Sequence, residues 1–301
     1  MPKFRHLTQT TGLDRSWIES ELFPLCETFR ANRNPDPILN GFSLYCLFYE
    51  PSFITRTSFE RAMDLLGGRT YLTEDASQFF PVTTPNYVDN VIDNLASLLI
   101  DVVVLRSSDL GVMARAEAAD AMPVISGGSE DDHPTQALAD IYTLQRELGG
   151  VDGVNVGIVG RLEHRNVNAL LSGLAMFDNI KVTLVPSSGQ VDPKIMAHCE
   201  QHGVKFETHS EIEAVEGVDA IYLNSPRTVA HIQLLRSRGA LNLRIDEKFM
   251  SMLKPGCIIL DPMQRSGDFS VEVHDERLAF YRQAQNALYV RMAVLAKTLG
   301  K

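Results

Sequence analysis

Apolar and polar positions along the chain alternate between two periods. Short runs rich in β-branched and aliphatic residues, Leu44 to Tyr49, Val102 to Leu105 and Pro123 to Ser126, are too short for helices and predict buried strands. Between them the segments Thr55 to Leu66 and Leu110 to Ala119 carry apolar residues at helical spacing. A long helical stretch, His133 to Leu148, ends at Gly149-Gly150, a pair suited to stop a helix and begin a hinge. The second half repeats the grammar, with strands predicted at Val154 to Val159, Lys181 to Val185, Lys205 to Glu207, Ala220 to Leu223 and Cys257 to Leu260. Gln285 to Leu299 closes the chain as an amphipathic helix, with Leu288, Met292, Val294, Leu295 and Leu299 near helical spacing. Strands alternating with helices mean βαβ units, so the expected class is α/β with two doubly wound parallel-sheet domains.

Composition narrows the function. The 301 residues suffice for two cores of ordinary size, and 45% hydrophobic content excludes a disordered chain. A formal charge of -10 argues against nucleic acid or an anionic membrane as partner. No apolar run approaches the roughly 20 residues needed to cross a bilayer. Cys26, Cys46, Cys199 and Cys257 show no paired spacing and the first residues have no signal-peptide character, so reduced thiols and a cytoplasmic location are expected. After Lys3 no lysine occurs until Lys181, so an anion site in the first half must rely on arginine, histidine, backbone amides or a neighbouring subunit.

Candidate chemistry gathers at the carboxyl ends of the predicted strands, where open α/β sheets bind ligands. Ser52 follows a strand and precedes a helix whose free amides and partial positive charge suit an anion, although a serine N-cap is most often structural. His133 and Gln136 lie one helical turn apart on one face. His198 and His202 have a spacing that can hold a metal, but no further ligand is evident and a solvated helix face is the better reading.

Taken together, the run Phe48-Tyr49-Glu50-Pro51-Ser52-Phe53-Ile54-Thr55-Arg56-Thr57-Ser58-Phe59-Glu60, ending in Leu66-Gly67-Gly68, and the run His133-Pro134-Thr135-Gln136 resemble the aspartate and ornithine carbamoyltransferase family. The family reads Ser-Thr-Arg-Thr-Arg where this chain reads Ser52-Phe53-Ile54-Thr55-Arg56. The resemblance implies that Ser52, Thr55 and Arg56 face the donor and that Arg106 and His133 polarise a carbamoyl carbonyl while Gln136 holds its amide. It further implies that Arg165, Arg227 and the carbonyls of Pro262 and Met263 meet the second substrate. Arg161 or Arg69 would supply replacement phosphate contacts, because Phe53 and Ile54 stand where the family has a threonine and an arginine, and the stretch from Ser77 to Asp93 has no lysine.

On this basis residues 1–134, completed by the helix 285–301, form the carbamoyl-phosphate-type domain, 135–149 a linking helix and 150–284 the amino-acid-binding domain. The expected activity is carbamoyl transfer to an aspartate-like amine by a homotrimer, with or without other subunits, using small-molecule substrates and no cofactor or metal. Two alternatives stay open: an enzyme of the same fold acting on a non-phosphorylated amide or carboxylate, and a non-catalytic paralogue that no longer binds carbamoyl phosphate.

Overall fold

A computed structural model describes residues 5–73, 75–78, 87–224, 244–262 and 270–301. The chain divides into two compact units, Met1–Ala139 with Gln285–Lys301, and Asp140–Ala284. Both boundaries fall inside helices, at Ala139/Asp140 in α6 (Pro134–Leu148) and at Ala284/Gln285 in α10 (Phe280–Thr298).

The first unit is built on a four-stranded parallel sheet in the order β2-β1-β3-β4, formed by β1 (Ser43–Phe48), β2 (Arg69–Thr73), β3 (Val102–Arg106) and β4 (Val124–Ser126). Every residue of β3 and β4 is buried, which is why these strands read as unbroken apolar runs rather than alternating ones. Helices α1 (Arg15–Trp17) and α2 (Phe23–Ala31) precede the sheet, with a wider π-helical turn, Ile18–Leu22, between them. Helices α3 (Phe53–Leu65), α4 (Tyr87–Ser97) and α5 (Val112–Ala119) follow. A core of Leu47, Val88, Ile92, Val103, Leu105, Val112, Ala116 and Val124 packs α4 and α5 onto the sheet. Helix α3 ends as its Leu-Gly-Gly sequence demands. Gly67 adopts φ +81° and Gly68 N–H returns to the Met63 carbonyl at 3.0 Å, while a Cβ on Gly67 would strike Pro37.

The second unit carries a five-stranded parallel sheet in the order β10-β8-β5-β6-β7. Its strands are β5 (Asn155–Arg161), β6 (Lys181–Ser188), β7 (Lys205–Thr208), β8 (Ala220–Asn224) and β10 (Ile258–Leu260). A separate pair joins β9 (Arg244–Ile245) and β11 (Ser270–Val271) in parallel. Helices α7 (Arg165–Leu174), α8 (Pro193–Gln201) and α9 (Glu247–Met252) accompany the sheet. The core gathers Val159, Val185, Ile221, Leu223, Phe249, Ile259 and Phe280. At the end of β5, Gly160 has φ +121° and its missing Cβ would lie 2.3 Å from the Asn224 carbonyl oxygen, so the approach of β8 requires glycine there.

Several expectations need correcting. Helix α3 begins at Phe53 rather than Thr55, and α5 at Val112 rather than Leu110 because Gly111 turns left-handed at φ +74°. Helix α10 begins five residues before Gln285, at Phe280. No element was expected between Leu66 and Val102, yet β2 and α4 lie there. Among the described residues no helix is long and apolar enough to cross a membrane.

Candidate active site

Parallel pairing places the carboxyl ends of β1, β3 and β4 side by side. Phe48 is in register with Arg106, and Tyr49 N–H donates to the Arg106 carbonyl at 2.9 Å, so the Glu50-Pro51-Ser52 turn leaves the sheet where Arg106 ends β3. Arg106 is only 4% exposed; its Nη1 donates to the Gly127 carbonyl at 2.8 Å and its Nε lies 3.9 Å from the Glu50 carboxylate. Thus a cation is held beneath the loop that follows β4, with a carboxylate nearby to offset the cost of its burial.

That loop delivers the histidine. His133 is 3% exposed, its Nε2 lies 3.4 Å from the Thr55 hydroxyl of α3 and its Nδ1 lies 3.5 Å from the Thr135 hydroxyl. The Thr135 hydroxyl also donates to the Ser126 carbonyl at 3.5 Å. Gln136, also buried, follows one turn along α6. Ser52 is the N-cap of α3 in extended conformation and its hydroxyl makes no capping bond, so the first-turn amides of a 13-residue helix end at the same strand termini. Thr55 and His133 are therefore neighbours, and Arg106, Ser52 and Gln136 lie at the same end of the sheet.

Arg56 lies in the first turn of α3 after Thr55, with its Nε 3.2 Å from the Glu60 carboxylate one turn along the helix. Phe53 is 71% exposed at the first position of α3, beside Ser52. Arg69 is a clear correction. It opens β2 in register with Ser43, the first residue of β1, so it lies at the amino ends of the strands, a strand length of about 17 Å from Ser52.

The second unit contributes by itself a buried arginine and a polar network. Arg165 is 4% exposed in the first turn of α7, after an N-cap at His164 whose Nδ1 accepts from Asn166 N–H. Arg161, the other suggested replacement cation, pairs with Glu163 at 3.0 Å. Pro262 follows β10 and is partly exposed; Arg227 and Met263 lie outside the described residues.

Sequence reasoning missed the fully buried Asp140 carboxylate, which accepts from the Tyr222 hydroxyl at 2.8 Å and from Gln283 Nε2 at 2.7 Å. The Gln283 oxygen accepts from Asp261 N–H at 2.9 Å, tying the turn before Pro262 to the same network. Burial first, and then the Asp140 charge, push the Tyr222 phenol well above its usual range and keep it a donor. The signal available in the sequence was an acidic residue on the apolar face of a helix. Among the described residues no group of three or more His, Cys, Asp and Glu side chains could hold a metal; the His198 and His202 rings lie 4.4 Å apart on α8 and its C-cap.

Two family models match the chain end to end: the carbamoyl-P binding domain of aspartate/ornithine carbamoyltransferase over residues 5–146, and the Asp/Orn binding domain of the same family over residues 152–298. The chain belongs to the aspartate/ornithine carbamoyltransferase family. It is 35% identical over 266 residues to the chloroplastic aspartate carbamoyltransferase of Oryza sativa subsp. japonica, covering 86% of this chain and 73% of that one. It is 31% identical to the aspartate carbamoyltransferase catalytic subunit of Cenarchaeum symbiosum over 99% of this chain and 97% of the relative. Among solved structures it resembles the aspartate transcarbamoylase of Trypanosoma cruzi in complex with carbamoyl phosphate, with a TM-score of 0.85 and 27% identity over 96% of this chain and 95% of that one. The protein is accordingly aspartate carbamoyltransferase-like, with the two parallel-sheet α/β units of its family.

Proposed function

We propose that this family member transfers a carbamoyl group to the amine of an aspartate-like amino acid. The observation that carries the reading is the convergence of Arg106, His133 and Thr55 at the carboxyl ends of one parallel sheet, inside the region matched by the family's carbamoyl-P binding model. In this reading Arg106 and His133 place positive charge and N–H donors at the carbonyl oxygen, where negative charge grows as the amine attacks. Gln136 holds the carbamoyl amide. Ser52, Arg56 and the amides of α3 meet the leaving group. Arg165, Arg227 and the carbonyls of Pro262 and Met263 orient the acceptor.

The assembly we propose is a homotrimer, with or without further subunits. Its support is an exposed apolar set in the first unit: Tyr71 on edge strand β2, and Leu98 and Leu99 after α4, line a surface cavity of about 540 Å³, with Leu72 exposed beside Tyr71. Four free, buried cysteines favour a reducing compartment, in keeping with a cytoplasmic location.

A second reading is favoured by one observation. Phe53 and Ile54 stand at the start of α3, and the exposed Phe53 ring offers no hydrogen bond to a phosphate. A charge-assisted hydrogen bond contributes about 1.5 to 3 kcal/mol, so a dianionic donor loses much of its binding there. This points to a donor without phosphate, or to a paralogue without catalysis. Calorimetric titration with carbamoyl phosphate, followed by an assay for the ureido product with L-aspartate, separates the readings. Micromolar binding with ureido product supports carbamoyl transfer; no binding at millimolar ligand rejects it.

A further inference from the structure

We propose that Thr10 and Asp132 are positioning residues for His133, joined into a strap that the amino-terminal segment lays along β4. The inference rests on the reading of His133 as a group that acts on the carbamoyl carbonyl.

The segment is pinned at nearly every residue. Leu7 N–H donates to the Val124 carbonyl and the Leu7 carbonyl accepts from Ser126 N–H, both at 2.8 Å, so the segment continues the sheet beyond β4 in parallel. His6 meets Asp120 at 2.9 Å, and the Thr8 hydroxyl donates to Glu117 at 2.5 Å. The strap ends at Thr10, which is fully buried and grips one carboxylate twice. Thr10 N–H donates to Asp132 Oδ2 and the Thr10 hydroxyl to Asp132 Oδ1, each at 2.6 Å. The same Oδ1 accepts from His133 N–H at 2.7 Å.

The loop between β4 and α6 has little apolar anchoring of its own in this stretch. Ser129 closes it locally, its N–H donating to the Asp132 carbonyl at 2.8 Å and its hydroxyl accepting from Asp132 N–H at 3.0 Å. Such a closed turn fixes its own shape but not its place on the sheet. Thr10 supplies the link from that turn to a strand-like segment paired with β4, and Asp132 passes it to the His133 backbone. The ring contacts of His133 with Thr55 and Thr135 are long, 3.4 and 3.5 Å, whereas its main-chain N–H is held at 2.7 Å. Where the backbone goes, the imidazole goes.

The test uses the full chain with 15N-labelled histidine, the His133 ring resonances being assigned by their loss in His133→Gln. Thr10→Val keeps the main-chain donor and the shape but removes the hydroxyl. It is expected to shift or double the His133 ring resonances while methyl resonances of Val103 and Leu105 stay in place, and Thr10→Ser to restore them. With carbamoyl phosphate and aspartate, kcat should fall about tenfold at nearly constant KM for Thr10→Val, and recover for Thr10→Ser. Should Thr10→Val not fold, Asp132→Asn carries the same comparison. Unchanged His133 ring resonances in both variants would overturn the proposal. A wild type without transferase activity would instead reject the functional reading, and the ring resonances would still decide whether the strap positions His133.

Discussion

Removing Gln283 tests whether the second unit depends on a polar centre rather than on apolar packing alone. Gln283 is 2% exposed, donates to the buried Asp140 carboxylate at 2.7 Å and accepts from Asp261 N–H at 2.9 Å. Gln283→Ala deprives a buried carboxylate of one donor, at about 1.5 to 3 kcal/mol, and leaves a buried backbone N–H without its acceptor, at about 1 to 3 kcal/mol. The expected total is about 2.5 to 6 kcal/mol. Tyr222→Phe removes only the 2.8 Å bond to Asp140 and keeps the ring, so it should cost about 1.5 to 3 kcal/mol. Urea unfolding followed by hydrogen exchange of peptides within 255–284 resolves the two, because the N–H of Asp261 should lose protection only in Gln283→Ala. The reasoning is refuted if Gln283→Ala costs no more than Tyr222→Phe, or if Asp261 protection survives it.

Other consequences follow from single contacts. His133→Ala is expected to lower carbamoyl transfer by a factor of about 100 or more with stability little changed, measured as ureido product formed per active chain. Gly160→Ala should destabilise the second unit by about 3 kcal/mol or more, read by denaturant unfolding, because the new Cβ meets the Asn224 backbone and φ is +121°. Burial, with smaller effects of Tyr87 and Asp109, pushes the Tyr49 phenol from 10.0 up to about 12. The folded state therefore holds that proton where the unfolded state releases it, and stability present below pH 10 is lost as pH rises through 12, by up to about 2 kcal/mol. Tyr49→Phe should flatten that alkaline loss without weakening the protein at pH 7, since the buried hydroxyl has no hydrogen-bond partner among the described residues, and unfolding curves at pH 7 and pH 11 check both parts.

What the sequence disclosed follows from where each signal is stored. Strands such as β3 and β8 are buried along their whole length and carry their identity in five consecutive residues. Edge strand β2 is different, for Arg69, Tyr71 and Leu72 are exposed and no alternation survives to be read. Helix α4 did hold a readable stripe, with Val88, Val91, Ile92 and Leu95 buried at helical spacing, and it was passed over. The early start of α10 was hidden by Arg282 and Gln283, whose partners Glu147 and Asp140 lie more than 130 residues away in the chain. The fully buried Arg291, which donates to the Ser58 hydroxyl and lies over the Phe59 ring at 5.3 Å, was masked in the same manner. Polar residues that fold by long-range pairing leave no period behind them.

The site divides along the same line. The placing of Thr55, Arg106 and His133 at one end of the sheet was legible because each closes or follows a strand. The fate of the charge was not legible, since it depends on how the cations are paired. Within the first unit Arg106 has the Glu50 carboxylate 3.9 Å away and Arg56 has Glu60 at 3.2 Å. At the start of α3 the helix terminus adds the equivalent of roughly half a positive charge. That field suits a polarised carbonyl or a monoanion; a phosphate dianion needs a further cation, and Phe53 and Ile54 bring none. If carbamoyl phosphate binds tightly to this protein, further positive charge must reach it, and Arg56, the arginines of the second unit and those of a neighbouring copy are the residues to remove first.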